Sequence, residues 1–103
     1  MIVVTTETVA GREIRETLGL ARGNVIRAKH IGTDIVASLR NLVGGEVSEY
    51  TKLMAEAREQ ALDRMVADAR RQGADAIVSV RFSTATIATG AAELLAYGTA
   101  VKF

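Results

Sequence analysis

A chain of 103 residues holds one compact domain and leaves no room for a second core of ordinary size. Thirteen Lys and Arg against twelve Asp and Glu give a net charge of +1, so no one-signed field draws the chain to nucleic acid or to an anionic membrane. The absence of Cys excludes disulfides, thiolate catalysis, Cys-ligated zinc and iron–sulfur clusters, and a single histidine, His30, excludes a multi-histidine site within one chain.

Hydrophobic residues make up 49% of the chain, but 17 of them are Ala and the only aromatics are Tyr50, Phe82, Tyr97 and Phe103. The expected core is therefore built from small and β-branched side chains, with a thin stability margin for an isolated protomer. The apolar opening Met1–Val4 gives way to Thr5-Thr6-Glu7, too short for a signal peptide or a membrane span, and the expected compartment is the cytoplasm.

Ile2 to Thr6 is a β-branched run bounded by a polar turn and reads as a short strand. Thr17 to Lys29 predicts a second, kinked or bulged strand with Gly23-Asn24 as the bend, because glycines inside a helix would cost about 1 kcal/mol each. Asp34 to Val43 carries Ile35, Leu39 and Leu42 at helical spacing and is stopped by Gly44-Gly45.

A longer helix runs from Ser48, a good cap, to about Gln72, with Glu49 in its first turn and Arg70 and Arg71 in its last, both matching the helix dipole. Its apolar positions, from Tyr50 and Leu53 to Val66 and Ala69, cover roughly 200°, where a helix on one sheet needs about 100°. The spacing predicts two neighbours for this helix. Gly73 closes it in the left-handed geometry that ends helices.

Ala76 to Phe82 predicts a strand with Ile77, Ser79 and Arg81 on one face and Val78, Val80 and Phe82 on the other. A small-residue stretch from Ser83 to Ala92 follows. Leu94 to Phe103 closes the chain as a strand with Leu95, Tyr97, Thr99, Val101 and Phe103 on one face, and Gly98 marks a bulge or a close backbone approach. The order is ββααββ: an α+β domain over residues 1–103, its mainly antiparallel sheet packed with one short and one long helix.

No constellation with catalytic spacing stands out. The glycines match neither a phosphate loop nor a dinucleotide fingerprint, and the basic group Arg22, Arg27, Lys29 and His30 lacks interleaved aromatics for base stacking. Glu46, Glu49, Glu56, Glu59, Asp63 and Asp68 lack a calcium-loop spacing and read as a solvated face. Met54 and Met65 sit at core spacing and read as gap fillers, so no metal ligand and no cofactor site is assigned. Arg58 falls inside the apolar arc, where its stem passes apolar surface or its head pairs with a carboxylate across a subunit seam.

These features predict self-association. The interface candidates are Tyr50, Met54, Arg58, Leu62 and Met65, and His30 with Glu49 is the polar pair that symmetry could assemble at a seam. Neither nucleic acid nor membrane is an expected partner, and no small ligand is indicated.

The stretches Leu42-Val43-Gly44-Gly45, Ser48-Glu49-Tyr50, Glu56-Ala57-Arg58 and Gln72 to Val78 resemble the YbjQ-like family. Val4-Thr5-Thr6, Gly11-Arg12-Glu13-Ile14 and Gly98-Thr99-Ala100-Val101 extend the resemblance over most of the chain. The resemblance implies an α+β subunit of a homopentameric ring, a heavy-metal-binding label and no established activity. Two functions stand side by side: a ring-forming binding or scaffold module, and a metal- or small-ligand-handling protein or enzyme whose site forms only between subunits.

Overall fold

The computed structural model describes residues 1–28, 48–88 and 90–103. They form strand β1 (Ile2–Val3), strand β2 (Glu16–Ala28), helix α1 (Ser48–Arg71), strand β3 (Ala76–Ala88) and strand β4 (Ala91–Lys102). The short helix expected within Asp34–Val43 lies outside the described residues.

The four strands make one sheet in the order β1-β3-β4-β2. β3 and β4 are antiparallel, as are β2 and β4, but β1 runs parallel to β3, so the sheet is mixed rather than mainly antiparallel. A strand that lies at the start of the chain and pairs with one after the long helix reaches its place by a crossover, which leaves either direction open.

β4 sits in the centre, and its alternation is as its sequence predicts. Leu94, Ala96 and Ala100 face α1, while Val101 and Phe103 join a second cluster on the opposite face. That second cluster is covered by Ile2, Val4, Val9 and Ile14, so the N-terminal segment shields the lower half of the face that α1 does not reach. The core on the helix side contains Ala21, Ala57, Ala61, Ala69, Ala96 and Ala100, the small-residue interior that composition implied.

Gly23 does not bend β2. The irregularity in β2 lies between Thr17 and Gly19, where the register against β4 shifts and Gly19 takes φ 129°. Gly23 is instead where α1 crosses: a Cβ there would collide with the backbone nitrogen of Met65 and the carbonyl oxygen of Ala61. Ala57, Ala61, Met65 and Ala69, spaced four apart, form the fully buried stripe of the helix along this crossing. Bare backbone on the strand and methyl groups on the helix bring the two main chains together.

β3 also departs from simple alternation. Ser79 takes φ 54°, and the register against β4 slips between Val78 and Arg81, so that Ser79 and Val80 together oppose Gly98. A Cβ on Gly98 would lie 2.7 Å from Ile77 Cγ2 and 2.9 Å from the Val78 oxygen, which is the close approach that this glycine marked. Because of the bulge Val80 packs with Ile77 on the helix side, while Val78 joins the opposite cluster. The predicted grouping of Val78 with Val80 is thus undone by one extra residue. Past the bulge β3 continues to Ala88, taking in the first part of the small-residue stretch that begins at Ser83.

Two substitutions separate steric from conformational roles. Gly23→Ala is expected to destabilise by about 1–3 kcal/mol or more, because the atoms it meets belong to main chain and cannot rotate away. Gly73 has φ 80° and open space around the position of a Cβ, so Gly73→Ala carries only the left-handed backbone penalty of about 1 kcal/mol. For a domain of this size that is a fall of about 4–8 °C in thermal midpoint, read by circular dichroism, and Gly23→Ala is expected to fall further.

Candidate functional site: the open flank of the sheet

α1 lies over β2 and reaches β4, and it barely touches β3. Its two flanks therefore meet different surroundings. On the β2 side, three side chains four residues apart bind the backbone of the strand. Arg64 Nη1 donates to the Asn24 oxygen at 2.6 Å, Arg22 N–H donates to Asp68 Oδ2 at 3.0 Å, and Gln72 Nε2 donates to the Leu20 oxygen at 2.9 Å. These are main-chain groups of alternate residues, pointing away from β4. The row also gains a pair between Arg71 and Asp68 at 3.2 Å.

On the other flank α1 presents Leu62 and Val66, half-buried against the core, with Arg58 exposed beside them. Beyond them no described element covers the helix-side face of β3, where Phe82 stands opposite Ala96, and the strand is exposed on through Ile87. Phe82 is 44% exposed and Ile87 52% exposed, and every residue from Arg81 to Ala88 is exposed. The described residues span 53 × 25 × 16 Å, with a radius of gyration of 16.9 Å against about 13 Å for a compact chain of this length.

The outer edge of β3 is divided in the same way. Near the bulge it is occupied, since Val4 N–H donates to Ile77, Val80 N–H to Val4 and Ser79 N–H to Thr6. Arg81 Nη1 then closes over the Thr5 and Val80 oxygens at 2.9 and 2.8 Å. Val80 directs its N–H outward to Val4, so the two-residue repeat aims those of Phe82, Thr84 and Thr86 outward as well. No strand among the described residues covers that stretch.

The residues singled out from the sequence fall in several places. Met65 is 0% exposed and packs within its own chain, so it belongs to the protomer core and not to a seam. Met54 and Leu62 are half-buried and Arg58 is exposed, so the guanidinium has no buried charge to satisfy. Glu49 and Tyr50 lie in the first turn of α1, and His30 lies outside the described residues. The basic group is split: Arg22 stands opposite Tyr97 and Arg27 opposite Ala92, hence on opposite faces of β2. Asp68, read as part of a solvated face, is bonded to the strand. The Arg64–Asp68–Gln72 row escaped notice, and its one sequence signal was polar residues at four-residue spacing beside an apolar stripe.

Soft metal ions require thiolates or several imidazoles. The chain has no Cys and one His, and Met65 is sealed in an alanine-rich core. Among the described residues no three of His, Cys, Asp and Glu come together, and this donor set does not fit a heavy metal within one chain. No described helix is long and apolar enough to cross a membrane.

A family model described as "Putative heavy-metal-binding" matches residues 1–103. A UPF0145 protein of Methanosarcina acetivorans is 61% identical over 99% of this chain and 96% of its own length. Another from Archaeoglobus fulgidus is 57% identical over 99% and 94%. A crystal structure of a protein of unknown function of the DUF74 family, from Pediococcus pentosaceus, superposes with a TM-score of 0.67 at 15% identity, covering 100% of this chain and 97% of that one, and so shares its fold. With a match along the whole sequence and relatives above half identity over nearly all of it, the chain belongs to the YbjQ family.

Proposed function

We propose that this chain is one subunit of a homo-oligomeric ring that serves as a binding or scaffold module. The observation that carries the reading is the open flank: the half of β3 beyond Arg81 that no described residue covers, near Leu62 and Val66, with Phe82 exposed on it. A long strand with bare main-chain groups and exposed apolar side chains invites another chain unless something covers it. A core made largely of alanines adds to the case, since it gives the isolated protomer little margin. The number five rests on the family resemblance alone. Closure into a ring follows from head-to-tail contacts, which otherwise grow without limit.

Light scattering coupled to size exclusion tests the assembly. The expected mass is about five times the 11.0 kDa protomer, and Phe82→Lys is expected to shift it toward the protomer by placing a charge on the open flank. A mass of 11.0 kDa for the unaltered protein over a wide concentration range would overturn the reading. Calorimetric titration of the assembled, tag-free protein with zinc, cadmium or copper is expected to show no site tighter than about 1 μM, equivalent to roughly −8 kcal/mol. A stoichiometric heat below that concentration would restore heavy-metal binding as the function and place the ligands between subunits.

A further inference from the structure

We infer that neighbouring copies join at one end of the sheet only, by parallel pairing of the outer edge of β3 in one copy with the last residues of β2 in the next. The inference rests on the proposed ring and names its seam. Both edges of the sheet are closed at the lower end. On one side β1, Thr6 and Arg81 occupy the edge of β3 as far as Val80. On the other, Gln72, Asp68 and Arg64 occupy outward main-chain groups of β2 from Leu20 to Asn24. At the upper end no described residue pairs with either edge. β3 is bare of strands from Arg81 to Ala88, and β2 passes beyond the reach of Arg64 at Ile26, which is 56% exposed.

The two open stretches lie at the same level, because Ala28 and Ala88 both stand opposite Ala91. They also run in the same direction, since each is antiparallel to β4. Copies related by rotation about an axis close to the strand direction keep that common direction, so the pairing is head-to-tail and repeats around a ring. Lower-end pairing is blocked by helix and N-terminal segment, which hold neighbouring sheets apart there while the upper ends meet. A joint that is open at one end and tight at the other turns successive copies by an angle, and so favours closure over a flat, endless sheet.

A second copy is the occupant that this surface suits. The open β3 segment Phe82-Ser83-Thr84-Ala85-Thr86-Ile87-Ala88 has no charge to select a different partner. Seven to eight residues extend for about 26 Å, and with a strip of side chains on each face present on the order of 500 Å2, to which the Leu62–Val66 flank adds toward the roughly 800 Å2 per partner of a stable interface.

The chain has no Cys, so disulfide trapping is clean. Adjacent strands lie about 4.8 Å apart, within the Cα separation that a disulfide bridges. Ile26 shares its sheet face with Arg81, Ser83 and Ala85, since it stands opposite Glu93, as Ala85 does, so Ile26→Cys is combined in turn with Arg81→Cys, Ser83→Cys and Ala85→Cys, and each single variant, with Thr84→Cys beside them, is oxidised in parallel. At least one pair is expected to give a ladder of covalent multimers, with the single variants remaining uncross-linked. Efficient dimers from Thr84→Cys alone would show that like edges pair, and would overturn the seam. An oligomer by light scattering with no ladder in any of the three pairs would also overturn it while leaving the ring standing; a monomer would remove the ring itself. Thr84→Pro, which deletes an outward N–H, is expected to lower the mass of the assembly with the far-ultraviolet spectrum retained, and an unchanged mass would count against strand pairing.

Discussion

The contact between Gly23 and the backbone of α1 sets the geometry of this protein. Because the strand has no side chain at that point, the helix settles against the main chain between Ala61 and Met65. The neighbouring buried helix positions are Ala57, Ala61 and Ala69, whose methyl groups allow the same approach along about three turns. A helix held this closely over β2 cannot also sit over the middle of the sheet. Its offset brings one flank within side-chain reach of the β2 backbone and leaves the other overlooking an uncovered strand.

That offset explains why the two edges of the sheet are treated so differently. Edge strands attract unwanted pairing, and folds manage them by covering them, charging them or twisting them away. Here β2 is covered by hydrogen bonds from Arg64, Asp68 and Gln72, and the lower part of β3 by the N-terminal segment and Arg81. Among the described residues the upper part of β3 has none of these devices, and it carries Phe82 and Ile87 in the open. The bulge at Ser79 and Val80 contributes to this arrangement. By inserting one residue it turns Val80 toward the helix and resets the alternation of everything beyond it. The upper hairpin is thereby an arm supported by β2 on one side and by nothing described on the other.

The chemistry of the site follows the same economy. The side chains brought together on the open flank are aliphatic, aromatic and hydroxyl-bearing, with arginines at the margin, and they suit association more than bond-making or soft-metal ligation. The family description names heavy-metal binding, yet among the described residues no cluster of donors for it comes together, and the full sequence offers no Cys and one His.

Much of the local structure was legible in the sequence. The β-branched run after Gly73, the alternation of β4, the long helix from Ser48 and its glycine stop all follow from rules that act over a few residues, and the prevalence of Ala announced a small-side-chain core. Gly23 shows where such rules end: a glycine in a strand pattern signals either a bend or a close approach, and only the position of α1, far away in sequence, decided for the approach. The direction of β1, the slip at Ser79 and the bonding of Asp68 were decided in the same way, by pairing between distant segments. Periodicity reports which residues avoid water and how the backbone repeats; it carries no information about how far a helix is displaced across a sheet. That displacement, set by backbone contact at one glycine, determined which edges are closed and which flank stays open.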